Sequence, residues 1–161
     1  MNYLQRALIV VKHASAKFGG EAILHLHYYR VLRARNVHAW LFQASCVARN
    51  TSADTLVLPI LMECGGAVVL EAMAMSLPVI ATNWGGPVDY LNESCGILVE
   101  PSSRVDLAAG LTDAMHELSC YPAKRRRMGL AARKKVVQFF DWEVKVDQMV
   151  DIYRSVSTMA S

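Results

Sequence analysis

The segment Glu63-Cys64-Gly65-Gly66-Ala67-Val68-Val69-Leu70-Glu71 holds the residues best suited to chemistry in this chain. Two carboxylates flank a glycine pair and an apolar stretch that favours helix. A helix starting at the glycines presents unpaired N–H groups and a partial positive charge, which suit a diphosphate. Glycine there also lets a ligand approach the backbone closely. Glu71 would lie about five residues into that helix, roughly 7 Å along its axis. A carboxylate at that place can accept hydrogen bonds from two vicinal hydroxyls, as a ribose presents. Glu63, in the loop before the helix, would meet the other end of the same ligand. The plainer alternative, a solvated loop glutamate and a helix glutamate in an ion pair, stays open on these residues alone.

Such a helix needs a sheet to hold it. Ala7–Val11 is a continuous branched apolar run, the pattern of a strand buried on both faces. Leu56–Leu58, Pro78–Ala81 and Gly96–Val99 read the same way, and His38–Phe42 is a further strand candidate. Glu21–Arg35 has helical spacing of its apolar residues, Gln43–Arg49 suits a short helix, and Ala67–Met75 favours helix. Three helices close the chain. Ser102 or Ser103 caps the first, whose apolar face is Leu107, Leu111, Ala114, Met115 and Leu118. Pro122 opens the second. Asp141 caps the third, with Trp142, Val146, Met149, Val150 and Tyr153 as its apolar stripe. Alternating strands and helices imply an α/β fold: a Rossmann-like, doubly wound, mainly parallel sheet with a helical C-terminus. Ligands of such sheets bind beyond the carboxyl ends of the strands, here the loops 12–20, 59–66 and 82–87.

Composition narrows the class. The 161 residues are 53% hydrophobic and 19% charged, which excludes a disordered chain. A net charge of +3 names no polyanionic partner. Cys46, Cys64, Cys95 and Cys120 have long, irregular spacings that support neither a metal site nor a disulfide framework. His25 and His27 would point about 200° apart on a helix, so they do not share a metal. No run of about 18 apolar residues offers a spanning helix. The apolar run 7–11 is followed by Lys12 and His13 rather than a cleavage site, so a cytoplasmic location is expected.

Several short motifs in order carry a family resemblance. Ser52–Pro59, Glu63–Met75, Leu77–Thr82, Gly85-Gly86-Pro87, Gly96–Pro101 and Phe140-Asp141-Trp142 resemble the second domain of retaining GT-B-fold glycosyltransferases, "glycosyl transferases group 1". The resemblance implies that Glu63 contacts the donor sugar as the catalytic glutamate and that Glu71 binds the nucleotide ribose. Backbone amides at Gly65, Gly66 and Ala67 would contact sugar hydroxyls and diphosphate. The donor would be a UDP- or GDP-sugar, transferred with retention and without cofactor or obligatory metal, to a glycan or lipid acceptor. Catalysis would rest on stabilising the leaving diphosphate and an oxocarbenium-like centre.

Residues 1–42 resemble the opening of the same enzymes' first domain, with Gly19 and Gly20 in a loop facing the donor cleft. The chain thus divides into a first-domain fragment, a junction at 43–51 and the second half of a donor-binding domain at 52–161. This partial GT-B is expected to pack as one compact sheet. The segment skipped at the junction normally supplies the Arg and Lys that neutralise the diphosphate and a His near the acceptor, and Lys12 and His13 do not match those positions. An inactive nucleotide-binding or interaction module is therefore one alternative reading. A basic peripheral membrane binder is another, because Lys124–Lys135 is rich in Lys and Arg. Nucleic acid is not expected as a partner, since aromatic interleaving is lacking.

Overall fold

Every apolar run singled out above forms a strand. These are β1 (Arg6–Val11), β2 (His38–Gln43), β3 (Thr55–Leu58), β4 (Val79–Thr82) and β5 (Gly96–Val99). They belong to a computed structural model that describes residues 6–11, 38–43, 53–61 and 66–159, with side-chain detail for 53–61 and 66–156. The five strands make one sheet in the order β2-β1-β3-β4-β5. All four pairings are parallel, with Ile9 opposite both Leu41 and Val57, Val57 opposite Ile80, and Ile80 opposite Ile97. Every residue of β3 and β4 is buried, as strands covered on both faces require.

β4 runs one residue later than the sequence places it. Pro78 has no N–H to give the ladder. It serves instead as an acceptor, receiving Leu56 N at 3.1 Å and Thr55 Oγ1 at 2.8 Å. At the other end Asn83 N donates to Val99 O at 2.8 Å, so pairing persists past Ala81.

The helices are α1 (Ala67–Ala74), α2 (Pro87–Tyr90), α3 (Arg104–Cys120), α4 (Pro122–Phe139) and α5 (Trp142–Met159). Ser103 caps α3, its hydroxyl accepting from Asp106 N at 3.1 Å. Asp141 does the same for α5, with Glu143 N to Oδ1 at 3.0 Å. The expected helix at 21–35 and most of that at 43–49 lie outside the described residues, but Gln43 itself ends β2.

Alternation along the strands sorts the core onto two faces. Leu56, Leu58, Val79 and Ala81 pack with Val68, Val69, Ala72 and Met73 of α1. Val57, Ile80 and Val99 pack with Leu107, Leu111, Ala114, Met115 and Leu118 of α3. α4 contributes to both, with Ala132 in the first cluster and Met128 in the second. α5 stands apart: Trp142, Val146, Met149, Val150 and Tyr153 are all exposed, so its apolar stripe covers no core among the described residues.

Among the described residues no helix is long and apolar enough to cross a membrane. No group of three or more His, Cys, Asp or Glu there could hold a metal ion.

Candidate functional site

The sheet order reverses direction between β1 and β3. The chain leaves β1 toward β2 on one side, while β3, β4 and β5 build outward on the other. That is the topological switch point of an open parallel sheet, where connections diverge and leave a crevice beyond the carboxyl ends. Ala7, Leu8 and Ile9 pair with Thr55, Leu56 and Val57. The loops that start after Val11 and Leu58 therefore leave adjacent strands. These carry Gly19 and Gly20 in the first case, and Glu63 and Gly65 in the second. All four residues lie outside the described residues, so no geometry is assigned to them.

The described part of the site is the start of α1. Gly66 is its N-cap, at φ 53° and ψ 28°, and no side chain among the described residues caps the helix. Its first turn holds no acidic residue. Gly66 is buried, and a Cβ there would meet Tyr90 Cε2 at 3.3 Å and Pro87 Cδ at 3.4 Å. Both the left-handed backbone and the close approach of α2 call for glycine. Val69 N returns to Gly66 O at 2.8 Å, which tightens the first turn. Ala67 and Glu71 are both exposed. At a separation of four residues they share one face of α1. The Glu71 carboxylate thus sits on the open side of the helix, about 6 Å along the axis from Ala67. Val68, Val69, Ala72 and Met73 on the opposite side anchor the helix to the sheet.

The loop after β4 forms the neighbouring wall. Trp84 N donates to Thr82 O at 2.8 Å, and Gly85 takes φ 64°, which turns the chain sharply into α2. Trp84 is 56% exposed beside this turn. Asn83 Nδ2 donates to Glu100 Oε1, tying the loop after β4 to the end of β5. Thr82, the last residue of β4, is one that type and spacing do not single out. It is 1% exposed and its Oγ1 has no hydrogen-bond partner among the described residues.

The structure thus brings Gly66, Ala67 and Glu71 together at one helix start. A helix N-terminus with an exposed carboxylate one turn deeper can take a ligand that is anionic at one end and carries hydroxyls at the other.

Comparison with known proteins adds the lineage. A family model described as "Glycosyl transferases group 1" matches residues 31–135. The matched residues include β2 as well as β3, β4 and β5. Glycogen synthase of Mycobacterium tuberculosis is 31% identical over 126 residues, covering 78% of this chain and 30% of that protein. Alpha-maltose-1-phosphate synthase of Mycolicibacterium smegmatis is 34% identical over 110 residues, covering 66% and 28%. The chain therefore spans about a third of the length of these relatives. Among solved structures, sucrose-phosphate synthase from Thermosynechococcus elongatus superposes with a TM-score of 0.61 at 26% identity, over 96% of this chain and 39% of that one. Anabaena HepE, solved with UDP and glucose, gives a TM-score of 0.66 at 15% identity, over 96% and 49%. The second likeness shows the fold alone. With its parallel Rossmann-like sheet and the family match over residues 31–135, the chain belongs to the glycosyl transferases group 1 family.

Proposed function

We propose that this chain carries the donor half-site of a glycosyltransferase, binding a UDP- or GDP-sugar at the start of α1. The observation that carries this reading is the coincidence of the switch point between β1 and β3 with the start of α1 at Gly66, where Glu71 stands exposed one turn further in. The Ala67 amide and its neighbours in the first turn receive the diphosphate. Glu71 accepts the ribose hydroxyls from the exposed face of α1. Glu63 and the amide of Gly65 act on the donor sugar from the preceding loop, and Gly19 and Gly20 close the crevice from the β1 side. Transfer proceeds with retention to a glycan or lipid acceptor. Stabilisation of the departing diphosphate by helix-terminal amides supplies the main electrostatic help. No cofactor enters this scheme, and no metal is required by it. The division at 43–51 is part of the same proposal: an opening βαβ unit joined to a donor-binding half, both in one sheet.

Calorimetric titration with UDP, GDP and their sugar conjugates tests this, alongside Glu71→Ala. Loss of a charge-assisted pair of hydrogen bonds is expected to weaken binding by about 2–3 kcal/mol, roughly 30- to 150-fold. Equal affinity of both proteins, or no binding by the folded wild type, would remove the donor site from α1.

A further inference from the structure

α4 is built differently on its two sides. Its inner side holds Met128, Gly129 and Ala132, all buried. Two of its cations are already engaged nearby: Lys124 Nζ bonds Glu117 Oε1, and Arg125 Nη1 donates to Leu118 O at 2.9 Å. The outer side carries Arg126, Arg127, Leu130, Arg133, Lys134 and Val137, every one exposed. Their spacing of three and four residues puts them on a single face. Leu130 and Val137 are each 57% exposed at its centre, and no ion pair among the described residues involves the four cations around them. Leu130, Arg133, Lys134, Val137 and Gln138 line a shallow open groove of about 590 Å³.

Charge is also segregated. α4 contains seven Lys and Arg and no acid, whereas the whole chain is only +3, so the remainder is net negative. A solvated helix face normally mixes both signs. Here one sign surrounds two exposed branched side chains. Complementarity demands a partner that is anionic over a wide area and apolar just beneath, which describes a bilayer with acidic headgroups. Nucleic acid offers the charge but no apolar layer for Leu130 and Val137. α5 has the wider apolar stripe, yet its polar side bears Glu143, Asp147 and Asp151 against Lys145 and Arg154, so it does not suit an anionic surface.

We propose that the outer face of α4 is a docking surface for anionic membrane lipid. Arg126, Arg127, Arg133 and Lys134 lie at headgroup level, and Leu130 and Val137 enter the headgroup–acyl boundary. This stands independently of the donor-site reading, because neither Gly66 nor Glu71 takes part.

The test is co-sedimentation of the 161-residue chain with vesicles of phosphatidylcholine alone or mixed with phosphatidylglycerol. Binding is expected only to the mixed vesicles, with release near 0.5 M salt as the Debye length contracts to about 4 Å. The pair Arg133→Glu and Lys134→Glu should lower partitioning at least about thirtyfold. Leu130→Asn with Val137→Asn, which keeps the charge, should lower it several-fold. Circular dichroism of each variant checks that the helices are retained, and titration with UDP-sugar checks the donor site separately. Equal binding to neutral vesicles, or charge reversal without effect in a folded variant, would overturn the proposal. So would a preference for duplex DNA that vesicles cannot compete away, or charge reversal that disperses a dimer of this chain formed without lipid.

Discussion

At Gly66 a single residue meets two demands at once. Its φ of 53° disfavours any side chain by roughly 1–2 kcal/mol, and α2 lies within 3.3–3.4 Å of a Cβ added there. Gly66→Ala is expected to lower stability by about 1–2 kcal/mol and to weaken nucleotide-sugar binding as the first turn of α1 shifts, readable by urea melts and calorimetry. Thr82 presents the opposite case. Its buried hydroxyl has been taken from water without a partner among the described residues, a cost of about 1–3 kcal/mol. Thr82→Val, which keeps the shape, should leave the melting temperature unchanged or raise it. A fall of several degrees would reveal a partner for the hydroxyl. The glycines at 65 and 66 and the glutamates at 63 and 71 announce themselves in the sequence by type and spacing. Thr82 does not, because an orphaned hydroxyl is a property of its surroundings.

Helices and strands were legible where one local rule dominates. Asp141 reads as a cap and acts as one, and of the two serines that could cap α3 it is Ser103 that does, because a side-chain oxygen reaching an N–H two or three residues ahead is a local event. The stop of α1 is less visible. Ser76 takes φ 61°, the left-handed position usually filled by glycine, and Leu77 N closes onto Ala72 O at 3.0 Å. Nothing in the serine itself signals this, and only Pro78 marks the end nearby. The same turn is where α4 crosses: a Cβ at Gly129 would lie 2.1 Å from Ser76 O. Gly129→Ala must therefore push α4 away from the α1–β4 turn. A loss of about 1–3 kcal/mol is expected, with the m-value unchanged, in chemical denaturation. In the sequence Gly129 looks like a mild weakness inside a helix. Its purpose appears only when two elements distant in the chain are packed together.

For the whole molecule, the notable fact is that β1 and β2 share one sheet with β3, β4 and β5. β1 contacts β3 along three residue pairs, and α4 places side chains in both core clusters. If the two segments form a single cooperative unit, as proposed, they should unfold together. Trp40 lies in β2, so a variant with Trp84→Phe and Trp142→Phe reports on that strand alone by fluorescence. Its urea transition is expected to coincide with that seen by far-ultraviolet circular dichroism. An earlier, separate fluorescence transition would divide the chain into two units.

By itself the sequence determined the existence of five strands, the caps of the late helices, the α/β class and the family, because apolar periodicity and short motifs are written residue by residue. It also marked the side chains on which the proposed sugar-nucleotide site rests. Tertiary structure alone decided the order of the strands, and hence that the loops after β1 and β3 start side by side at the switch point. It alone decided that Glu71 stays exposed while Val68, Val69, Ala72 and Met73 of the same helix are buried, and that α4 turns four of its cations and two apolar residues outward together. Those outcomes depend on which faces meet across the sheet, and long-range packing has no local signature in the chain.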